Sequence, residues 1–156
     1  MVGRIPEPSD EGSGGVNDVN IVNVVNAVNS ESRKGADVKS HKDLDVWRLA
    51  VDLATDVYEV TKSFPKEEQY GMVTQMRRSA VSIASNIAEG AARRSSKEFI
   101  QFIHIALGST SELDTQLEIA KRVNLTGLES LQRLQDTAIR INQMLRGLAR
   151  SIRSEE

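Results

Sequence analysis

The sequence predicts an all-α protein, an antiparallel up-down four-helix bundle with a disordered N-terminal tail. Beyond residue 40, four long segments place apolar residues at alternating spacings of three and four, the rhythm of helices that bury one face. The connections between these segments are short, and short connections make consecutive helices antiparallel. No segment shows the alternation of a half-buried strand. We therefore expect a disordered low-complexity tail over residues 1–40 and a four-helix bundle domain over residues 41–156.

The tail is set apart by composition and by a tandem repeat. Residues 1–15 are rich in Pro, Gly, Ser and acidic side chains, and residues 16–30 repeat a triplet that begins Val-Asn. A period of three suits neither a strand nor an α-helix, and Asn is unfavourable in both, so the composition favours disorder. The alternative is a β-prone adhesive segment, because Val is a strong strand former. Deleting the tail would distinguish the two.

The first helix is predicted over about residues 44–63, with Asp43 as its N-cap. The Phe64-Pro65 pair ends it, because the residue before a proline is disfavoured in helical geometry. Pro65 suits the first turn of a second helix over about residues 66–92. The expected buried stripe of the first helix is Leu49, Leu53, Val57, Val60 and Phe64, and that of the second is Val73, Met76, Ala80, Ile83 and Ile87.

The third and fourth helices each begin at a predicted capping box. Ser95 with Glu98 starts the third helix near residue 96, and Thr126 with Glu129 starts the fourth after the turn at residues 124–127. The seam of the third helix is Phe99, Ile103, Ala106, Thr110, Leu113, Leu117 and Ala120. The seam of the fourth is Leu131, Leu134, Ala138, Ile141, Leu145, Leu148 and Ile152.

Composition narrows the possible functions. The chain of 156 residues has no Cys and only two His, so we expect no disulfide, no metal site and no cofactor. No stretch approaches the roughly 18 consecutive apolar residues of a membrane span, and there is no secretory signal pattern, so a soluble cytoplasmic protein is expected. The net charge of -2 argues against a protein that coats nucleic acid by bulk charge.

The sequence carries no standard catalytic motif. The sequence contains no phosphate-binding loop with its lysine, no nucleophile elbow, and no Glu-x-x-His pair of a di-metal bundle. His104 lies between Ile103 and Ile105 and is expected to be a packed or interfacial side chain. We therefore predict that the protein is not an enzyme and has no catalytic residues.

Clusters of arginine are the polar feature of the sequence that most strongly suggests a binding function. Arg77 and Arg78 lie in the second helix, and Arg93, Arg94 and Lys97 surround the following turn; these five are the candidate nucleic-acid-binding residues, because guanidinium groups pair bidentately with phosphates. Arg140, Arg146, Arg150 and Arg153 recur along the fourth helix. The alternative is ion pairing, since residues 41–156 hold 16 Lys or Arg and 16 Asp or Glu. A ring of subunits would repeat each cluster around its axis.

The predicted helices carry an ordered series of short motifs. They are Leu-Asp-Val-Trp at 44–47, Phe-Pro-Lys-Glu-Glu at 64–68, Tyr-Gly at 70–71, Gln-Met-Arg-Arg-Ser-Ala-Val-Ser-Ile at 75–83, Ser-Asn-Ile-Ala-Glu-Gly at 85–90, Lys-Glu-Phe at 97–99, Ala-Leu-Gly-Ser at 106–109, Glu-Leu at 112–113 and Thr-Gln-Leu at 115–117. In this series the chain resembles a known family, the four-helix-bundle proteins encoded within intervening sequences of 23S ribosomal RNA genes, also called S23-like ribosomal proteins. The resemblance covers nearly all of residues 42–150. One departure is Ala84, where relatives commonly have proline, and the loss of that proline should straighten the second helix.

The resemblance implies a homopentamer with a basic surface, similar to an accessory protein of diversity-generating retroelements that binds nucleic acid and a reverse transcriptase. It implies surface or interface charge for Arg77 and Arg78 and helix-end packing for residues 86–90. The expected function is a non-enzymatic homo-oligomeric accessory protein that binds RNA or DNA through its arginine patches. The alternative is a protein-interaction scaffold, for example a partner of a reverse transcriptase, without direct nucleic-acid contact. A pull-down treated with nuclease would distinguish them, because a protein partner would be retained.

Overall fold

The computed structural model describes residues 40–154, and the predicted disorder of residues 1–39 lies outside them. A 3-10 turn at His41–Asp43 leads into helix α1, Asp45–Thr61. A second 3-10 turn at Lys66–Glu68 precedes α2, Met72–Ala91. Helices α3, Ser96–Arg122, and α4, Leu128–Ser154, follow. The described residues contain four long helices and no strand, which confirms the predicted fold class.

The helices pack as a closed square. Each contacts its neighbour in the chain, and α4 also packs against α1, so the core lies along the axis between all four. The seams predicted for α2 and α4 are buried in full, and that of α3 is buried from Ile103 to Ala120, with Phe99 half-buried at its start. Side chains at the core centre, such as Leu113, Leu131 and Ile141, are completely buried.

The stripe of α1 differs in part from the prediction. Leu53 and Val57 are buried as expected, but Leu49 and Val60 are only half-buried, and Val46 and Ala50 take the central positions. The two stripes share Leu53 and Val57, so the spacing of apolar residues alone could not choose between them. Contact with α2 on one side and α4 on the other places the small Ala50 at the centre and larger residues at the flanks.

The beginnings of α1 and α2 also differ. Asp43 belongs to the 3-10 turn, and Leu44 is the N-cap of α1, without a side-chain hydrogen bond. Helix α2 starts at Met72 rather than near residue 66, because the chain forms the short 3-10 turn after Pro65 and leaves helical geometry at Gly71 (φ -109°, ψ -109°). Oε2 of Glu68 accepts a hydrogen bond from the Met72 amide at 3.3 Å, so a carboxylate caps one of the backbone amides at the start of α2.

The two predicted capping boxes have different outcomes. Ser95 Oγ accepts from the Glu98 amide at 3.2 Å, which confirms Ser95 as the N-cap of α3. It donates to the Glu98 carboxylate at 2.8 Å, so that carboxylate reaches the Ser95 hydroxyl rather than the Ser95 amide of a complete capping box. The hydroxyl of Thr126 instead lies 2.7 Å from Ser63 Oγ, where it ties the α3–α4 connection to the end of α1. This hydrogen bond holds two connections together at one end of the bundle.

The end of α3 is a Schellman motif, built around a residue in the left-handed region. Asn124 has φ 55°, its amide donates to Lys121 O at 3.2 Å, and the amide of Leu125 donates to Ala120 O at 3.0 Å. Asn tolerates this conformation better than most residues. The motif reverses the chain within a few residues, as an antiparallel neighbour requires.

Candidate nucleic-acid interface

The antiparallel arrangement gives the bundle two distinct ends. The Arg93 end comprises the start of α1, the end of α2, the start of α3 and the end of α4. The Tyr70 end comprises the opposite termini. Arg77 and Arg93 are 16 residues apart in the chain, which is about 24 Å along α2 and the turn at its end if that path is helical throughout. The two predicted arginine clusters therefore lie toward opposite ends of the molecule.

Arg77 is largely engaged within the protein. Its Nε donates to Thr61 Oγ1 at 3.0 Å, its Nη2 lies 3.4 Å from the carbonyl oxygen of Tyr58, and its guanidinium carbon sits 4.5 Å from the centre of the Tyr58 ring. Thr61 is buried, and its hydroxyl donates a hydrogen bond to Val57 O. The oxygen of the same hydroxyl accepts the hydrogen bond from Arg77. The side chain fastens the start of α2 to the end of α1.

Arg93 is also held by neighbours. Its Nη2 is 2.6 Å from Glu89 Oε1 one turn earlier, and its guanidinium carbon is 4.6 Å from the centre of the Phe102 ring on α3. Both side chains of the ion pair are partly exposed, so the pair itself stabilises the fold by well under about 1 kcal/mol. The positive charge of Arg93 is nevertheless offset locally by the carboxylate of Glu89.

The other three candidates are exposed. Within residues 40–154, Arg78, Arg94 and Lys97 make no ion pair and no side-chain hydrogen bond. Arg94 and Lys97 lie together at the Arg93 end, where the α2–α3 connection enters α3. Arg78 stands apart, toward the other end of the molecule, beside the surface between α1 and α2.

A second basic row lies on α4 at the Arg93 end. Arg146, Arg150 and Arg153 are spaced by four and three residues and therefore share one helix face. Nη2 of Arg153 is 3.2 Å from Nε2 of His104 on α3, and because a guanidinium can only donate, the imidazole nitrogen accepts. His104 is exposed rather than packed.

This contact joins the basic residues of two helices. Lys97 precedes His104 by seven residues and so projects from the same face of α3. Lys97, Arg146, Arg150 and Arg153, with the nearby Arg94, form one surface, which we call the basic strip. The arginines of α4 are visible in the sequence, but only the antiparallel packing of α3 on α4 brings them to the same surface as Lys97.

Charge is unevenly divided between the two halves of the bundle. The half toward the Arg93 end, residues 40–53, 82–109 and 141–154, contains eight Lys or Arg and five Asp or Glu. The other half, residues 54–81 and 110–140, contains eight Lys or Arg and nine Asp or Glu. Within the described residues, the excess of basic side chains is therefore in the half toward the Arg93 end, while Glu155 and Glu156, which complete the balance of 16 and 16, follow α4 in the sequence and lie outside the described residues.

The surface between α1 and α2 carries two adjoining hollows of about 550 Å³ and about 540 Å³ that share Tyr58 and Val81. We call them together the α1–α2 groove. Most of its lining is apolar or small, and Arg77 and Arg78 lie at the end nearer α2's start, while His41 lies at the other. Its main lining residues are Trp47, Val51, Tyr58, Val81, Ala84 and Ala88.

Two further structural results concern the described part of the chain only. No three His, Asp or Glu side chains among residues 40–154 are grouped closely enough to hold a metal ion. None of the helices in that range has the length and apolar character required to cross a membrane.

Comparison with known proteins places this chain in a family. The family described as 23S rRNA-intervening sequence protein matches residues 42–147, more than half of the chain. A crystal structure of a protein of unknown function from the S23 ribosomal protein family of Bacteroides thetaiotaomicron VPI-5482 is similar in fold, with a TM-score of 0.61 and 24% identity over 67% of this chain and 97% of that one. No curated protein matches the sequence. Neither description names an enzymatic activity. The chain therefore belongs to the 23S rRNA-intervening sequence protein family.

Proposed function

We propose that this protein is a non-enzymatic, homo-oligomeric accessory protein that binds RNA or DNA through the basic strip at the Arg93 end. The observation that carries the proposal is the grouping of Arg94, Lys97 and Arg150 as exposed cations without an ion-pair partner in residues 40–154. Of the five residues predicted from sequence, Arg94 and Lys97 are in this strip. Arg77 and Arg93 have partners within the protein, and Arg78 lies apart.

The strip has the dimensions of a short length of nucleic acid. Lys97 is about 10 Å from His104 along α3, and Arg146 is about 10 Å from Arg153 along α4, at 1.5 Å per residue. The His104–Arg153 contact joins the two rows into a path of about 20 Å. One strand of a duplex presents a phosphate about every 3.4 Å along its axis, so the path faces roughly six phosphates.

Helix stability explains part of this charge but not all of it. Arg150 and Arg153 lie near the carboxyl end of α4, where cations interact favourably with the helix dipole. Lys97 lies in the first turn of α3, where the same dipole disfavours a cation. Its position therefore carries an electrostatic cost to the fold, which contact with a phosphate would offset.

The test is the salt dependence of binding, measured by fluorescence anisotropy with labelled single-stranded RNA, single-stranded DNA and duplexes of one sequence. The triple variant Arg94→Gln, Lys97→Gln, Arg150→Gln removes three cations that have no internal ion pair. If each contacts one phosphate, the slope of log K against log salt for a single strand should become shallower by about 2, and affinity should fall.

A matched control removes the same charge elsewhere. Lys66, Arg133 and Arg140 are exposed and lie in the other half of the bundle, so their replacement by Gln should leave the salt slope nearly unchanged. Equal losses in both triple variants would mean that only net charge matters. Absence of binding at low salt, or binding indifferent to the first triple variant, would contradict the proposal.

The oligomer is proposed to form through the outer face of α3. Ile105 and Ile119 are 51% and 43% exposed, and their separation of 14 residues puts them on one face, about 21 Å apart. Large apolar side chains on one outward stripe favour burial against another subunit. Light scattering should give a mass several times the 17.2 kDa of one chain, with five times expected from the family resemblance.

Substitution of that stripe tests the interface. Ile105→Glu with Ile119→Glu should reduce the mass toward that of a monomer, because a buried carboxylate without a partner is costly. Leu128→Glu is the control, since Leu128 is 64% exposed and lies at the Tyr70 end. A monomeric wild type, or an assembly unaffected by the double substitution, would contradict this interface.

A further inference from the structure

The α1–α2 groove is a formed apolar surface that the proposed nucleic-acid interface does not use. Its floor is low because α2 contributes Ala84 and Ala88, and its walls carry the larger side chains of Trp47, Tyr58 and Val81. From Thr74 to Ala88 on α2 the groove is about 21 Å long at 1.5 Å per residue. An extended segment of about seven residues has this length at a rise of about 3.1 Å per residue.

The described chain begins at one end of this groove. His41 lines it, and the His41 ring packs edge-on against Trp47 with 5.0 Å between ring centres. The backbone at Ser40 has φ -62° and ψ 150°, close to polyproline II values. The preceding 39 residues are therefore attached directly beside the groove, and they include the Val-Asn repeat.

The repeat has the period that an extended segment needs in order to present one apolar face. A polyproline II helix has three residues per turn and a rise of about 3.1 Å per residue, so side chains at every third position align. Every third position of residues 16–28 is valine. Three consecutive valines of this set span about 19 Å, which matches the groove, and the Asn residues that follow each valine form a separate polar row.

The connecting segment is long enough for the repeat to reach the groove. Eleven residues separate Val28 from Ser40, and a flexible chain of that length has a root-mean-square span of about 17 to 20 Å. A tether of this kind gives an effective concentration in the millimolar range, so even weak apolar contacts would be occupied.

The charges of the repeat and of the groove favour one orientation of the repeat in the groove. Since the tether begins at the His41 end, the amino-terminal part of the repeat would lie toward Arg78, which has no ion pair within residues 40–154. Asp18 occupies that part of the repeat, and Asp10 and Glu11 precede it. We propose that residues 18–25 bind the α1–α2 groove of their own molecule in an extended conformation, with Val19, Val22 and Val25 inward and Asp18 toward Arg78.

The experiment uses the full-length protein and the emission of Trp47, its single tryptophan, which is half-buried in the groove. Acrylamide quenching should be weak in the wild type. In the variant Val19→Asn, Val22→Asn, Val25→Asn it should rise about twofold or more, because an effective concentration at or above the dissociation constant keeps at least half of the molecules occupied. The control Asn20→Gln, Asn23→Gln, Asn26→Gln keeps every valine and should behave as the wild type.

The groove itself is tested by a second pair of variants. Val81→Asp places a carboxylate in the groove and should raise the quenching, whereas Val123→Asp, at a similarly exposed position near the Tyr70 end, should not. A synthetic peptide of residues 14–30 at about 1 mM should restore protection to the triple-Asn variant, and the same peptide with the three valines replaced by Asn should not.

The outcomes separate this proposal from its alternatives. Protection that is independent of protein concentration and lost with the valines supports it. Protection that is lost on dilution and insensitive to the valines would mean that a second copy covers the groove. Equal quenching in the wild type and the triple-Asn variant would mean that the segment does not bind there. Either of the last two results overturns the proposal. Neither depends on whether the protein binds nucleic acid.

Discussion

At the scale of single residues, the contacts of Arg77 show how one side chain can join two helices. The Thr61 hydroxyl is buried near the end of α1 and donates to Val57 O, which leaves its oxygen able to accept. Arg77 Nε supplies that donor at 3.0 Å, and the guanidinium also lies over Tyr58. In the sequence Arg77 and Arg78 are equivalent basic neighbours, and only the position of α1 separates their roles.

Arg77→Met should lower the free energy of unfolding by about 1 to 2 kcal/mol, because it leaves the Thr61 oxygen without its partner and removes the contact with the Tyr58 ring. A double-mutant cycle with Thr61→Val should give a coupling energy of about 0.5 to 1.5 kcal/mol in urea denaturation. Arg78→Met is the control and should change stability by less than about 0.5 kcal/mol. A coupling energy near zero would mean that the hydrogen bond does not contribute.

At the scale of helices, the apolar periodicity of the sequence predicted much of the fold, since the seams of α2 and α4 are buried at every predicted position. Helix starts were less predictable. Pro65 is compatible both with a first helical turn and with the 3-10 turn that forms, and the choice depends on how α2 packs. The close approach of α2 and α3 at Gly90 is likewise a property of the pair, although the short side chains around it were visible in sequence. Helix α2 is uninterrupted from Met72 to Ala91.

Gly90→Ala should destabilise the protein by about 1 to 3 kcal/mol, even though alanine is the better helix former. A Cβ atom at Gly90 would lie 2.7 Å from Phe102 Cβ and 2.8 Å from Phe99 Cδ2, so α3 would have to move away from α2. Gly147→Ala in α4 is the matched control: nothing lies within 4 Å of its added Cβ, and stability should increase by up to about 1 kcal/mol. Thermal denaturation of both variants measures the two effects, and a stabilising Gly90→Ala would refute the tight packing.

At the scale of the whole molecule, antiparallel topology decides which charges act together. Arg77 and Arg93 are close in sequence but lie toward opposite ends of the bundle, whereas Lys97 and Arg153 are far apart in sequence and flank the same His104 position. The sequence identified the residue types and two of the strip residues. It could not identify the strip, because the equal numbers of acidic and basic residues in 41–156 do not show where each lies in the fold.

The same topology gives the four helices a single core, so they should unfold as one unit. Every helix contributes completely buried side chains to the axis, including Leu53, Ile83, Leu117 and Ile141. Trp47 fluorescence reports on the surface between α1 and α2, and far-ultraviolet circular dichroism reports on all four helices, yet their urea transitions should coincide. Ile141→Ala in α4 should cost about 2 to 5 kcal/mol and shift both transitions equally. Measurements at fixed protein concentration exclude shifts due to assembly. A Trp47 transition left in place by Ile141→Ala would show that α1 and α2 fold independently of α4, and the closed square of contacts would then not be the cooperative unit.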